Sequence, residues 1–330
     1  VTTIALFIFT GYFAQYSVRR RNYELFYYLH HIYLVVFIVS LLHAASSWYY
    51  ILGGLGLWAF DRCKRMWLRS RRWYATEYRA LADTTTHLEL SPCDELFGHD
   101  CDFRFSCGQY LYLNVPAISP WEWHPFTISS APSDGKVTCD IKRAPGPADS
   151  FTAQLFALAE NKHEIGGLSV NVDGPYGEFL DHTRFDNILL IAGGIGVTPI
   201  HSIFRELMLK IKAGAASSSL HVHMVWCVQK RIGLEPCLHT LQEAAADNLN
   251  GQIQISIFVD RDDALGRGEV GDYLGVPVTG GRPFIPDLIA ELEGKPRPHV
   301  FVCGPPGIAS MSDLACLKHG VSFHKEVFAF

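Results

Sequence analysis

Ala192-Gly-Gly-Ile-Gly-Val-Thr-Pro-Ile200 decides how the second half of the chain is read. Before it lies Asn187–Ala192, a short continuous apolar run of the kind shown by a strand buried on both faces. After it, Pro199–Lys212 has helical spacing. Glycines between a strand and a helix let the backbone approach a diphosphate, and the free N–H groups of the helix start favour the anion. Thr198 is expected as the N-cap, with Pro199 at the first helical position. Strand His221–Val228, then strand His299–Cys303 with a helix around Ile308–His319, continue the alternation. Such βα units with apolar strands predict a doubly wound parallel sheet. Val300-Phe-Val-Cys-Gly-Pro-Pro306 forms a second strand-to-turn at the carboxyl edge of that sheet, where open α/β sheets bind ligands.

Upstream, from Trp73 to about Leu180, the pattern is different. Short alternating runs such as Gln109–Val115 and Lys136–Lys142 are separated by Pro and Gly clusters, which predicts antiparallel strands forming a small barrel. Helical patterning is nearly confined to Ser150–Asn161, and Asp173-Gly-Pro-Tyr-Gly177 reads as the turn that closes the β region. Trp123–Pro132 places aromatic and hydroxyl groups on one strand, suited to a flat heterocycle that receives a hydrogen bond from Thr127.

The first 72 residues are different again. Val1–Tyr16 reads as the end of a membrane helix, so the chain reads as a piece whose N-terminal part is missing. Arg19–Arg21 follow, then Glu24–His43, long and apolar enough to span, then a Gly-rich apolar run Ala44–Phe60. Arg62, Lys64, Arg65, Arg69, Arg71 and Arg72 close the region. Two basic clusters flanking a two-helix excursion put both on the cytoplasmic side of a lipid bilayer, with residues 73–330 in the cytosol. The chain is thus expected to have three parts, 1–72, 73–182 and 183–330.

His30, His31 and His43 lie on the candidate span, where ligating residues are costly and functional, and paired imidazoles are a common haem axial set. From His43 to His30 the rise is about 20 Å. Offsets of 13 and 12 residues give rotations of about 140° and 120°, so neither His30 nor His31 faces the side of His43 in an ideal helix. A formal net charge of −5 without a long basic run excludes nucleic acid as partner. The nine scattered cysteines form no C-x-x-C pair, which argues against a zinc or thioredoxin-type site and suits a reducing compartment.

Taken together, Gly108-Gln-Tyr-Leu-Tyr-Leu-Asn-Val-Pro116, His124-Pro-Phe-Thr127, Gly174-Pro-Tyr-Gly177, Gly193-Gly-Ile-Gly-Val-Thr-Pro199, Cys303-Gly-Pro305 and Phe323-His-Lys-Glu-Val-Phe328 resemble, in order and spacing, the ferric reductase/NADPH oxidase family. The resemblance implies an α+β multidomain chain. A partial transmembrane helical bundle precedes an antiparallel β-barrel FAD domain and a doubly wound, ferredoxin-reductase-like NAD(P)-binding domain. It implies that His124, Pro125, Phe126 and Thr127 contact the flavin, and that Lys142 or Arg143, with Gly146–Thr152, meets the FAD diphosphate. Gly193, Gly194, Gly196, Thr198, Pro199, Cys303, Gly304 and Pro305 would hold NAD(P)H, with the nicotinamide near Thr198 and Cys303. A C-terminal aromatic, Phe328 or Phe330, would cover the flavin. Gln229 stands where the family often has Arg, but Lys230 and Arg231 follow, so NADPH is preferred to NADH. The family stacks two haems of b type across the bilayer, with two histidines 13 residues apart on one helix; His30 and His43 match. Partner ligands would come from an earlier helix. The implied reaction passes electrons from NAD(P)H through FAD and haem to an Fe(III) chelate or to O2. The compact Gly177–Asn187 connection and the tail Phe328-Ala-Phe330 lean to the reductases, while Gly108–Pro116 and Trp123–Pro132 look like the oxidases. A catalytically inactive flavin- or haem-binding relative, and self-association, stay open.

Overall fold

The computed structural model describes residues 2–15, 17–18, 23–43, 46–69, 72–92, 103–161, 167–178, 181–247, 251–261 and 265–326. The chain divides into two units, Val1–Leu68 and Arg69–Val327.

The first unit is helical: α1 (Thr2–Phe13), α2 (Tyr23–His30), α3 (Tyr33–His43) and α4 (Ser47–Arg69). Leu25–His43 is long and apolar enough to cross a membrane. It is not one regular helix. Ile32 N–H donates to Leu29 O at 3.2 Å and Val35 N–H to Ile32 O at 2.9 Å, i to i−3 bonds that tighten the turn at His31–Ile32. The Gly-rich run does not end where its apolar residues end: α4 continues into the basic segment without a break. Arg19–Arg21 and Arg71 lie outside the described residues.

The second unit opens with a six-stranded antiparallel sheet built from β1 (Arg72–Leu81), β2 (Thr85–Pro92), β3 (Tyr110–Asn114), β4 (His124–Thr127), β5 (Val137–Lys142) and β6 (Leu168–Tyr176). Its order is β4-β3-β6-β1-β2-β5, and Ser129 N–H, just past β4, donates to Thr138 O of β5 at 2.8 Å, joining the two ends into a barrel. Leu88, Leu111, Leu113, Ile128, Cys139 and Val170 fill it, and α5 (Phe151–Glu160) adds Phe151 and Leu155 to this core. Asp173–Tyr176 is not the closing turn the sequence suggested: it is the end of β6, paired with β3 through Asp173↔Tyr112 and Tyr176↔Tyr110. Gly-Pro is tolerated there because β3 is interrupted in register opposite it.

The seven-stranded second sheet contains β7 (Asn187–Gly193), β8 (His221–Val228), β9 (Ile253–Val259), β10 (Val270–Tyr273), β11 (Val276–Gly280), β12 (Pro298–Cys303) and β13 (Ser322–Glu326). Its order is β10-β11-β9-β8-β7-β12-β13, parallel except for the edge pair β10–β11. That hairpin turns at Leu274 (φ 54°) and Gly275 (φ 85°), the two positive φ angles of a tight hairpin turn. α6 (Val197–Lys212) buries Ile200, Phe204 and Leu207 on one face, with Trp226 from β8; α7 (Leu238–Ala246) adds Leu241. α8 (Ile285–Ala290) and α9 (Pro306–His319) cover the other face with Ile285, Ile289 and Ala309. Strand order reverses between β7 and β12, which makes their carboxyl ends the topological switch point.

Candidate functional site

At the switch point the turns after β7 and β12 are packed backbone to backbone. A Cβ on Gly196 would sit 2.5 Å from Cys303 O, one on Gly193 2.6 Å from Pro305 Cδ, and one on Gly304 3.0 Å from Gly193 Cα. Three of the glycines read as NAD(P)H contacts are therefore required by the protein's own packing. Gly194 differs: its φ is +55° and a Cβ there would meet nothing within 4 Å, so its open side remains available to a ligand. Trp226 Nε1 donates to Gly194 O at 2.9 Å and holds the turn.

Thr198 is not the N-cap. The Gly194–Gly196 3-10 turn runs straight into α6, whose cap is Gly196, so Thr198 and Pro199 lie inside the first turn. The Thr198 hydroxyl donates to Ile195 O at 3.2 Å. Cys303 is buried, and burial, then the nearby Glu326 carboxylate, push its thiol up to about 12. Burial of this kind favours the neutral thiol over the thiolate. Glu326 is its register partner on β13 and receives a hydrogen bond from His324 Nε2 at 3.1 Å. A Cβ on Gly108, in the barrel's Gly108–Pro116 string, would come within 4.0 Å of Glu326 Oε1. The carboxylate thus lies between the sheet edge and the barrel. Phe328 and Phe330 lie outside the described residues.

Beside this edge is a cavity of about 300 Å³ lined by Gly194, Cys227, Gln229, Asp260, Arg282 and Pro305, among others. Gln229, at the expected Arg position, faces it. Lys230 and Arg231 lie just beyond, and Arg282 supplies a guanidinium that the sequence reading overlooked. Arg282 Nη2 donates to Asp260 Oδ2 at 2.7 Å, which lowers the carboxyl and raises the guanidinium in proton affinity.

In the barrel, His124 packs against Phe151 at a 33° tilt with ring centroids 4.2 Å apart, and Phe126 stacks on the same ring with centroids 6.0 Å apart. Pro125 and Thr127 complete β4, paired through Pro125↔Tyr112 and Thr127↔Tyr110. Gln109 gathers the surrounding segments: its Nε2 donates to Gly177 O, and its own carbonyl accepts from Ile128 N–H. Of the two candidate cations, Lys142 is committed to Asp83, whereas Arg143 is exposed. Gly146 is exposed on the loop that leads to α5, with open space where a Cβ would be. At the helix start, Ser150 makes no capping bond and its buried hydroxyl has no partner among the described residues. A hydroxyl orphaned beside free helix N–H groups is what a bound diphosphate would satisfy. The residues therefore fit the diphosphate end of FAD.

In the helical unit, His30 lines an apolar cavity of about 500 Å³ with Thr10, Tyr33 and Ser40, and His31 Nδ1 donates to Tyr27 O at 2.7 Å. His43 is the exposed last residue of α3. Imidazole on an apolar cavity suits haem chemistry.

A closed antiparallel barrel followed by a doubly wound sheet makes this a ferredoxin-reductase-like pair of flavin- and dinucleotide-binding domains. Solved structures share that fold. An Amycolatopsis cytochrome P450 reductase superposes with a TM-score of 0.56 at 22% identity, covering 78% of this chain and 70% of that one. The FAD/NAD-binding domain of a Vibrio cholerae nitric oxide dioxygenase gives 0.55 at 19% identity, covering 78% and 98%. The family model described as an FAD-binding domain matches residues 87–179, and that described as the ferric reductase NAD binding domain matches 185–267. Ferric reduction oxidase 8, mitochondrial, of Arabidopsis thaliana is 29% identical over 76% of this chain and 34% of its own length. A superoxide-generating NADPH oxidase heavy chain of Dictyostelium discoideum is 26% identical over 96% and 50%. The chain belongs to the ferric reductase/NADPH oxidase family, and it spans half or less of these two relatives.

Proposed function

We propose that the chain draws electrons from NAD(P)H and delivers them across a membrane to an Fe(III) chelate. The observation that carries the reading is the pair of free phosphate cradles within one compact unit: Ser150 with its orphaned hydroxyl at the start of α5, and the open Gly194 turn ahead of α6. FAD, when bound, supplies the conversion of a two-electron hydride into the single electrons that haem accepts.

Each part then has a task. Residues 1–72 form the membrane part, 73–182 the flavin barrel and 183–330 the dinucleotide domain. Arg143, Ser150, the Gly146 loop and the start of α5 hold the FAD diphosphate. His124–Thr127, backed by Phe151, support the flavin end, and Thr127 donates to it. Gly194 and the first turn of α6 hold the NAD(P)H diphosphate. Thr198, Cys303 and Glu326 border the nicotinamide. Lys230, Arg231 and Arg282 supply positive charge for a 2′-phosphate, which favours NADPH; Asp260 offsets part of it. His30 and His43 offer axial imidazoles to haem. The exposed apolar helices of residues 1–68 belong in lipid, with residues 73–330 in the cytosol.

Anaerobic NADPH added to the FAD-loaded chain in detergent should bleach the flavin. Bound FAD that stays oxidised sinks the reading in favour of an inactive relative. In membranes holding the whole protein, Fe(III) reduction should exceed superoxide production; the reverse assigns O2 as the acceptor, as the name of the Dictyostelium relative suggests.

A further inference from the structure

We propose that Arg205, with His201 and Glu206, is a positioning residue: one face of α6 clamps the loop after the flavin strand and thereby fixes the dinucleotide turn relative to the flavin. The inference rests on the hydride transfer proposed above.

Two short stretches carry the two cofactor contacts into this clamp. α6 begins at Val197, directly out of the Gly193–Gly196 turn. β4 ends at Thr127 and leads at once into Ser129–Asp134. Between them run directed hydrogen bonds. His201 Nδ1 donates to Ser129 O at 2.8 Å, and Ser202 Oγ donates to Ser130 O at 2.7 Å. Ser133 donates to Glu206 through its N–H at 3.0 Å and its hydroxyl at 2.9 Å. Arg205 Nε donates to Asp134 Oδ1 at 3.1 Å. Residues 201, 202, 205 and 206 form one helix face.

The clamp is braced on both sides. Because Ser129 O can only accept, His201 Nδ1 carries the proton and its Nε2 accepts from the Thr240 hydroxyl at 2.9 Å. Arg205 also pairs with Glu243, so α7 holds both residues from behind. On the barrel side, Ser129 Oγ donates to Asp140 at 2.6 Å, and Asp140 accepts from His87 Nδ1 at 2.7 Å. A polar chain thus runs His87–Asp140–Ser129–His201–Thr240 from β2 to α7. Adhesion alone would be met by apolar contact, since burying polar groups carries a desolvation cost. What a directed network adds is a single register between the two pieces. Hydride transfer is sensitive to register: reacting atoms must stand roughly 3–3.5 Å apart, and a displacement of about 1 Å can cost about a hundredfold.

The test uses the FAD-loaded full chain in detergent. Hydrogen exchange of residues 129–134 and 193–199, which needs no turnover, is measured beside the rate of flavin bleaching and the NADPH dissociation constant. In Arg205→Met both segments should exchange faster and bleaching should slow at least tenfold, with FAD content and NADPH affinity within twofold. Arg205→Lys should restore most of the rate. Ser202→Ala, a milder lesion, should give the same pattern in smaller measure should Arg205→Met not fold. Unchanged exchange at 193–199, or an unchanged bleaching rate in a chain full of FAD, overturns the clamp. So does loss of rate only in proportion to loss of FAD. A wild-type chain that does not bleach refutes hydride transfer, while the exchange comparison still decides the clamp.

Discussion

The two units hide their apolar residues in opposite ways. In Val1–Leu68, Thr10 is the only buried residue among the described side chains, while Phe7 is 70% and Tyr49 88% exposed. In Arg69–Val327 whole strands vanish inside; Trp226, Phe204 and Phe301 are buried. The helices of the first unit leave their apolar surface outward, which water penalises at about 25 cal/mol per Å² and lipid does not. The second unit has built its own interior and needs no outside partner to hide it. The same residue types mean different things in the two places. Glycines in α4 face open space, whereas Gly196 and Gly304 at the β7–β12 switch are held against backbone.

The largest effect should come from separating the units. A chain starting at Arg69 is expected to be monodisperse without detergent, whereas residues 1–330 should require it; size-exclusion chromatography decides. Aggregation of the shorter chain would mean that its cores are incomplete. Next in size is Gly196→Ala. A methyl group 2.5 Å from Cys303 O cannot be relieved by turning a side chain. The loss should be about 3 kcal/mol or failure to fold, read from thermal melting. A wild-type melting curve would show that the two turns can part without cost.

Acid should act selectively on the parallel sheet. His182, His223 and His299 are lowered to about 4, in each case chiefly by burial, and both ring nitrogens of His182 lack partners among the described residues. His201 is also lowered by burial. The unfolded chain takes up protons below its ordinary histidine value near 6.5, and the folded one does not until about 4. Stability present above 6.5 is therefore lost as the pH falls through 4, by about 3 kcal/mol per group at full extent. His324, raised chiefly by its hydrogen bond to Glu326, works in the opposite direction and offsets part of this. Urea midpoints should drop between pH 7 and pH 4.5, and His182→Phe should flatten the slope. A midpoint independent of pH would mean that these rings are hydrated.

How much of this was legible in the sequence follows the range of the interactions. β7, the glycine turn and α6 are local, and they stand where the apolar run and helical spacing placed them. The barrel was legible as alternation, and β4 lies within the longer strand read over Trp123–Pro132. What failed depended on partners distant in the chain. Asp173–Tyr176 looked like a turn until β3 was laid beside it, and Thr198 looked like a cap until a 3-10 turn was found ahead of it. Ser150 fell within the Gly146–Thr152 segment and Glu326 within the Phe323–Phe328 string, but neither was singled out, and Arg282 carries no local signal. They acquire meaning from a missing cap partner, a cavity across two strand ends, and a register match with Cys303. The β10–β11 hairpin had a signal in Leu274-Gly275, but too short a flanking alternation to stand out.

The smallest expected effect sharpens the contrast most. Gly54 lies exposed within α4, and a Cβ there would meet nothing within 4 Å. Alanine is the better helix former by about 0.8–1.0 kcal/mol in water, and less is gained where the helix is already held in an apolar medium. Gly54→Ala should therefore stabilise the helical unit slightly, by about 0.5 kcal/mol, read as a small rise in melting temperature, and leave flavin bleaching unchanged. A fall of stability as large as that of Gly196→Ala would reverse the comparison. It would mean that another helix seats on that face of α4 at backbone distance, and that its glycines are packing residues like those at the switch point.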